Sequence, residues 1–522
     1  MVASPSRRWA VALLVFAALR SPKALRAASP AKLRVEVRDR GSGKVIPARF
    51  YLTDAAGKHW APTGAITYDK NDEHHFISSG PFSIDLPAGR YTLTCERGPE
   101  YRPHSGSIDL KTSEERSITI QLEHWIDMNR LGWFSGDLHN HRKLDEMPQL
   151  LLADDLNFSP VLTQWIWEDR PVSTTPKDAV AVRQVDATHA YSMLNEEIER
   201  LESGPGAVDL LGLISIVPFI GYRLSPPNDQ FCTPAHAQHA YVDAEKIMWR
   251  DVAALVALGL VDFAGVVHNH FNRHNVLLET DKWGMIPKER PEFNTVAGMP
   301  LWAMDVYYRF LNCGFRLPVS GGSASGVMAS PLGYNRVYVK VSRPFGVDRW
   351  LSALKAGRNF ATNGPMIFLT VNGLEPGASL KFAGRQAHKL RVQAEASSTA
   401  PLDRLEIIHK GRVIRSAAAS GNQEKLVLDF DFPVDHSGWL AARCFERPGT
   451  TVHFAQTSPV YMEFAGRSGV VPQDAKFFIN WMDREIGFYK AAPGFRNGQD
   501  RALMIAFFEK ARAIYSALLT GK

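Results

Sequence analysis

Two His-Asn-His triplets are the segments of this sequence best suited to chemistry. His139 and His141 form the first pair and His268 and His270 the second, and each pair follows an apolar run typical of a strand. Residues two apart in an extended chain point to the same face, so each triplet presents two imidazoles at a strand end. Neutral imidazole binds zinc, iron and manganese. The triplets therefore predict a metal site in which both pairs close around one cation, and the alternative is histidines that cap the core through backbone hydrogen bonds.

Further donors are needed, because a metal that performs hydrolysis usually takes a carboxylate as well. Asp137 lies beside the first triplet, and Glu197 and Glu199 belong to the acidic segment YSMLNEEIER. Taken alone, that segment also fits a solvated helix face. His239, which precedes a helix predicted over 242–258, is a weaker candidate ligand.

The pattern of apolar residues predicts a multidomain protein that combines α/β and all-β parts. Period-two alternation over 32–124 and again over 366–465 indicates two β-sandwiches. Between them, 125–365 alternates strands and helical stretches, which favours a parallel sheet or barrel with its chemistry at the carboxyl ends of the strands. Two helices are predicted over 470–520, the first beginning at Pro472, with an aromatic stripe that packs on the body of the protein.

Charge and hydropathy exclude two function classes. The net charge of +6 comes from 60 basic against 54 acidic residues, and residues 1–28 hold five of the basic ones and no acid, which leaves 55 against 54. A nucleic-acid partner is therefore not expected. No uninterrupted apolar run after residue 28 reaches the roughly 20 residues that span a bilayer, so we expect no membrane span in the mature chain.

Residues 1–28 predict an export signal. Arg7 and Arg8 precede an uncharged stretch, and small residues follow where a peptidase could cut. The segment resembles a twin-arginine signal, so we expect an exported, periplasmic or extracellular protein. Four widely spaced cysteines without a CxxC pair predict buried thiols rather than a disulfide framework.

Two resemblances to known families refine the fold. The stretch from VRDRGSGKVIPARFYLTDAAGKHW to FSIDLPAGRYTLTCERG resembles the carboxypeptidase-regulatory, transthyretin-like module. GDLHNH, then PLGYNRVYVKV and RWLSALKAGRNFATNGPMIFLTVNG, are similar to metallohydrolases of the CehA/McbA type in the PHP (polymerase and histidinol phosphatase) superfamily, over about 132–373. This second resemblance implies a distorted seven-stranded β/α barrel with up to three metals, which activate water against phosphoesters, carboxylic esters or carbamates.

The PHP resemblance assigns some residues and leaves gaps at others. His139 and His141 match the first family motif, Glu197 the metal-bridging glutamate, and His270 the histidine at a following strand end. Gln164 and Trp165 stand where the family has an Asp-His pair, and Ala324 and Gly326 stand where its final motif has an aspartate and a histidine. With two ligand pairs missing, we expect one divalent ion (zinc, manganese or iron), two at most, with His239 or His268 as an extra ligand.

The predicted function is an exported metal-dependent hydrolase that cleaves an ester, phosphoester or carbamate bond in a small-molecule or polymer-borne substrate. Asp137 or Glu199 would orient a ligand histidine, and Arg200 or Arg336 would meet an anionic substrate. The alternative is an inactive PHP-like pseudoenzyme that binds an extracytoplasmic carbohydrate or polymer, and a structural protein ranks third. Neither the substrate nor the oligomeric state follows from the sequence.

Overall fold

The computed structural model describes residues 29–520 except 168, 279–285, 385 and 467. The predicted export signal, at 1–28, lies outside these residues. The first eight strands are β1 (Ala31–Asp39), β2 (Ala48–Asp54), β3 (Ile66–Lys70), β4 (Glu73–Ser78), β5 (Phe82–Leu86), β6 (Gly89–Glu96), β7 (His104–Leu110) and β8 (Glu115–Leu122). They form the sheets β5-β1-β8 and β3-β4-β2-β6-β7, whose buried sides share one hydrophobic cluster, as in a sandwich. The pairing is not purely antiparallel, because β1 runs parallel to β8.

The central region alternates short strands and helices. Its strands are β9 (Trp133–Gly136), β10 (Phe158–Pro160), β11 (Gln164–Trp167), β12 (Arg170–Ser173), β13 (Val182–Gln184), β14 (Ala190–Ser192), β15 (Glu196–Arg200), β16 (Gly206–Leu211), β17 (Tyr241–Ala244), β18 (Phe263–Val267), β19 (Val319–Gly321), β20 (Arg336–Lys340) and β21 (Asn359–Thr362). Its helices are α1 (Met147–Ala153), α2 (Asp229–Ala237), α3 (Val252–Ala257), α4 (Gly298–Asn312) and α5 (Val347–Lys355), and Pro291–Phe293 forms a 3₁₀ turn.

Seven central strands form one mixed sheet in the order β12-β11-β15-β16-β17-β18-β19. Its parallel pairs are β11 with β15, β17 with β18 and β18 with β19. Among the described residues β12 and β19 do not pair with each other, so this part of the chain shows no closed barrel.

The carboxyl-terminal strands continue the alternation that the sequence predicts. They are β22 (Met366–Val371), β23 (Ser379–Phe382), β24 (His388–Ser397), β25 (Leu402–His409), β26 (Arg412–Ala418), β27 (Lys425–Val434), β28 (Gly438–Glu446), β29 (Phe454–Thr457) and β30 (Val460–Phe464). One sheet, β22-β24-β27, belongs wholly to this region. The other runs through β13-β14-β10-β9-β20-β21 into β29 and beyond, so the boundary predicted at 365 does not interrupt the sheet.

Two long helices complete the chain, α6 (Pro472–Ala491) and α7 (Gly498–Thr520). Their aromatic stripe packs on the central region as predicted: Phe478 stacks on Phe310 of α4 with ring centroids 4.3 Å apart. The Trp481 indole donates a hydrogen bond of 3.0 Å to the Arg250 carbonyl. None of the helices in the described part of the chain has the length and hydropathy needed to cross a membrane.

The helix predicted over 242–258 is wrong in its first half. Tyr241–Ala244 is strand β17, and α3 covers only Val252–Ala257 before Gly259 ends it with φ +70°. A short apolar segment that is buried on both sides shows no alternation of apolar and polar residues. Hydrophobic periodicity therefore cannot distinguish a strand from a helix in such a segment. The four cysteines are buried free thiols, as expected.

Candidate metal centre

Asp137 shapes the loop that carries the first triplet. Its Oδ1 accepts the backbone N–H groups of His139 at 3.1 Å and Ser323 at 3.0 Å, and its Oδ2 accepts that of Gly333 at 2.7 Å. Burial raises the pKa of this carboxyl to about 6 although these hydrogen bonds oppose the shift. Asp137 therefore fixes the backbone, and its hydrogen bonds go to main-chain groups and to Ser323 rather than to the imidazole predicted from the sequence.

Three side chains converge where the first triplet meets β15. The Nε2 atoms of His139 and His141 are 3.0 Å apart. The Glu197 carboxylate lies 3.4 Å from the first of these atoms and 3.2 Å from the second. Donors bound about 2.0–2.2 Å from one tetrahedral cation are themselves about 3.4 Å apart. These three side chains therefore have the spacing of ligands around a single ion.

The strand β15 decides which glutamate enters this group. Side chains alternate along a strand, so Glu197 and Glu199 share one face and Glu196 points to the other. Glu196 accepts hydrogen bonds there from the Gln164 amide at 3.2 Å and the Val217 backbone at 3.1 Å. The acidic segment is thus a strand and not a solvated helix, and Glu197 is the residue that faces the triplet.

A row of carboxylates that the sequence analysis missed runs across the sheet from Glu197. Asp209 of β16 is its direct neighbour, and Asp243 of β17 is the neighbour of Asp209. The carboxylates of Asp209 and Glu245 each lie 3.3 Å from Nδ1 of His139. Each is a single acid near an apolar run, and only the strand register brings them together. The sequence does hold one signal for Asp209: it is the single charged residue in the apolar segment GAVDLL, which is typical of a buried strand.

Burial keeps these groups mostly uncharged. It lowers the pKa of His141 to about 4 and that of His139 well below its ordinary value, so both imidazoles are in the neutral form that binds metals. Burial, and then the charge of Glu245, raises the pKa of Glu197 to about 8. The pKa of Asp209 is raised well above its usual range for the same kinds of reason. Buried carboxylates of this kind need a nearby cation in order to ionise.

Some of the buried polar atoms here also lack a hydrogen bond. Among the described residues, Nδ1 of His139, Nδ1 of His141 and both carboxylate oxygens of Asp209 have no hydrogen bond of acceptable geometry. Buried polar atoms are nearly always satisfied in native proteins. Unsatisfied atoms beside three suitably spaced donors fit a site that a divalent cation completes, and histidine with carboxylate suits zinc, manganese or iron.

The second triplet borders the same centre without joining the donor group. His268 and His270 are buried, and the His270 backbone N–H donates to Nδ1 of His268 at 3.3 Å. Asn269 between them donates to Glu245 Oε1 at 2.7 Å. Within the described residues, the ligand atoms that lie within 4.8 Å of one another around His139 include neither histidine of this triplet. The two triplets are linked through Glu245, and the grouped ligand atoms around His139 come from the first triplet and Glu197.

Three other predicted site residues also lie outside the donor group. His239 is exposed just after α2, with φ +60°. The buried Arg200 guanidinium donates to the carbonyls of Tyr222 and Pro226. Arg336 donates to the carbonyl of Asp154 at 3.4 Å and lines a separate cavity of about 400 Å³. Glu199, in contrast, joins Glu197 and Glu245 in a second group of ligand atoms within 4.8 Å of one another.

Segment 322–326, which the PHP resemblance aligned with that family's final motif, lies directly against the first triplet. The Ala324 backbone N–H donates to the His139 carbonyl at 2.7 Å, and the His141 backbone N–H donates to the Ser325 carbonyl at 2.8 Å. A Cβ on Gly326 would stand 2.7 Å from the carbonyl carbon of His141. The segment thus borders the centre, but Ala324 and Gly326 bring no ligand atom to it.

Comparisons with known proteins give the chain no family. No protein-family model and no curated protein matches it. Among solved structures, the TIE protein of Bacillus anthracis is similar at 17% identity, 22% coverage of this chain and 19% of that one, with a TM-score of 0.15. The pilus 2b backbone protein of group B streptococcus is similar at 15% identity, with 19% and 43% coverage and a TM-score of 0.16. The chain spans less than half of either protein, and similarities this low carry no argument.

Proposed function

We propose that this protein is an exported metal-dependent hydrolase of the PHP type, with a reduced site. The observation that carries the proposal is the convergence of His139 Nε2, His141 Nε2 and a Glu197 carboxylate at 3.0–3.4 Å from one another. When bound there, a zinc-type cation would lower the pKa of water from 15.7 to about 7 and polarise an ester, phosphoester or carbamate. Export rests on the sequence pattern of residues 1–28.

The proposal includes a distorted β/α barrel for the central region. A hydrogen bond outside the named strand pairs supports it, because it links the sheet that contains β9 to the sheet that contains β19. The Leu138 backbone N–H donates to the Gly321 carbonyl at 3.2 Å. This contact lies just after β9 and next to the candidate ligand His139, as expected of a barrel whose site is at its carboxyl-terminal face.

Each residue of the centre has a role that its contacts suggest. His139, His141 and Glu197 would hold the cation. Asp209 and Glu245 lie 3.3 Å from Nδ1 of His139, which has no hydrogen bond of acceptable geometry. Carboxylates at this position commonly fix the orientation and tautomer of a ligand imidazole, and we assign that role to these two residues in the metal-bound protein. This position was assigned to Asp137 or Glu199 from the sequence, and the geometry favours Asp209 and Glu245 instead.

The site has few of the ligands that the PHP family uses, so we propose that it holds one metal ion. Ala324, Gly326, Gln164 and Trp165 supply none of the usual side chains at the positions where the family has them. Three protein ligands with an open position are sufficient for a catalytic zinc-type ion. The expected substrate is a small-molecule or polymer-borne ester, phosphoester or carbamate.

The decisive experiment measures bound metal and turnover together. The protein is purified without chelator, and zinc, manganese and iron are quantified in the wild type and in the His139→Ala/His141→Ala variant. We expect close to one equivalent in the wild type and loss of most of it in the variant, with loss of activity on chromogenic esters and phosphodiesters. Less than about a tenth of an equivalent in the wild type would reject the proposal.

A second candidate function is a catalytically inactive binding module for a carbohydrate or other polymer. Two tryptophans favour it: Trp165 and Trp167 of β11 lie in register with Glu197 and Glu199, and Trp167 is 49% exposed. The Trp165 ring also meets the His141 ring edge-on at 5.2 Å. Tryptophan faces bind the apolar faces of sugars and other rings. Bound metal without turnover above the double variant would favour this function.

A further inference from the structure

Lys246 is a buried cation beside the candidate metal centre. It directly follows Glu245 after β17 and is 1% exposed, a rare state for lysine. Its ammonium pairs with Glu245 Oε1, and it lies 4.8 Å from the centroid of the Trp249 ring. The Trp249 indole donates to the other oxygen of Glu245 at 2.9 Å, which fixes this carboxylate and the ammonium that it holds.

The charge of Lys246 acts on both triplets. After burial, it is the next cause that lowers the pKa of His268, to about 3, and of His270, well below its ordinary value. After burial and His141, it also lowers the pKa of His139. Glu245, which holds the ammonium, lies 3.3 Å from His139 Nδ1 and accepts a hydrogen bond from Asn269, so one carboxylate connects the ammonium to both triplets.

The carboxylate that holds Lys246 belongs to a second group of metal-ligand atoms. Oxygens of Glu197, Glu199 and Glu245 lie within 4.8 Å of one another. Glu197 belongs to this group and to the group of His139 and His141, so a cation bound by it would be next to the first. Such a cation would need Glu245, whose Oε1 already holds the Lys246 ammonium. The ammonium already at Glu245 would repel a divalent cation on the same carboxylate, and this repulsion is strong in a buried site of low dielectric.

We infer that the Lys246 ammonium takes the place of a second metal ion on Glu197, Glu199 and Glu245, and so limits the centre to one divalent cation. The inference rests on the proposed function, since it presumes the first metal at His139, His141 and Glu197. In this arrangement the positive charge next to the second donor group is the side chain of Lys246 and not a metal ion.

The test is metal stoichiometry on the full chain. Wild type, Lys246→Met and Lys355→Met are loaded with Mn²⁺, dialysed and measured by elemental analysis. Lys355 is the matched control, because it also pairs with a carboxylate, that of Asp262, which belongs to neither donor group. We expect about one equivalent in the wild type and the control, about two in Lys246→Met, and about one again in Lys246→Met/Glu245→Gln.

The outcomes separate the two proposals. No bound metal in the wild type would reject the proposed function itself. One equivalent in both the wild type and a folded Lys246→Met would overturn the inference alone. Titration of the wild type with excess Mn²⁺, followed by electron paramagnetic resonance, needs no variant: a single isolated ion is expected, and a spin-coupled pair would overturn the inference even if every Lys246 variant failed to fold.

Discussion

His139 and His141 direct their Nε2 atoms at each other across 3.0 Å, with a carboxylate of Glu197 at 3.4 and 3.2 Å from the two. Two neutral imidazoles can share at most one proton along such a contact. Both rings have a pKa held below its ordinary value by burial, so a charged pair is disfavoured. A cation between the three donors satisfies all of them at once, and the first two predictions follow from this arrangement.

Asp209→Asn should weaken metal binding without unfolding the protein. Asparagine keeps the size of the side chain but removes the carboxylate 3.3 Å from His139 Nδ1. Loss of such an outer partner typically lowers metal affinity by about 10–100-fold. Competition with a chromogenic chelator measures the change. Asp262→Asn is the control, since Asp262 lies 2.8 Å from His236 Nε2 outside the donor groups; equal affinities in the two variants would contradict the assigned role.

Glu197→Gln should abolish metal binding and at the same time stabilise the metal-free protein. Glu197 is buried with Asp209 and Glu245, and the like charge of Glu245 adds to burial in raising its pKa to about 8. The folded pKa is raised, so this carboxyl costs stability as pH rises from about 4.5 to about 8. A neutral amide removes that cost. Thermal unfolding of metal-free protein at pH 8 should show a higher Tm in the variant, and a lower Tm would contradict the prediction.

Local pattern was sufficient for the sandwiches and for the first triplet. The alternation of Leu33, Val35 and Val37 appears as β1, and His139 and His141 follow the end of β9 as the parity argument requires. Strand parity fixes the face of a side chain. It does not fix how far apart two strand ends lie, and for this reason it could not show that the second triplet stands outside the donor group.

The missed residues depend on information that spacing does not contain. Asp209 meets Glu197 through the register of β15 with β16, and that register exists only once the sheet has formed. Glu245 and Lys246 were hidden because 242–258 was assigned to one helix, in which they would have lain on a helix surface. A single charge inside a buried apolar strand is costly, and this makes such charges the best sequence signal for a site of this kind.

His409 should make the protein lose stability in mild acid. Its Nδ1 lies 2.9 Å from the Trp439 carbonyl, and burial lowers its pKa to about 4. The unfolded chain takes up a proton below about pH 6.5 while the folded chain does not, so stability falls as pH drops from about 6.5 to about 4. The loss is on the order of 2–3 kcal/mol. The free energy of unfolding, measured with urea at several pH values in this range, should depend less on pH in His409→Gln than in the wild type. Equal pH dependence in the two proteins would contradict the assignment.

Gly326 should prove essential to the metal centre although it offers no ligand atom. It has φ +110°, and a Cβ there would meet the His141 main chain at 2.7 Å, so Gly326→Ala must displace the backbone of a ligand. Gly373→Ala is the matched control, because Gly373 has φ +77° and no atom within 4 Å of an added Cβ. This variant has the strain of a positive φ at alanine but no steric clash. Overpacking adds about 1–3 kcal/mol to the loss of stability in Gly326→Ala.

Metal affinity should fall by about tenfold or more in Gly326→Ala alone, because ligand sites tolerate displacements of only about 0.5 Å. Urea unfolding and a chelator competition on both variants measure the two effects. If Gly326→Ala bound metal as tightly as Gly373→Ala, the segment 322–326 would not position His141, and the centre would have to be held by β9 and β15 alone.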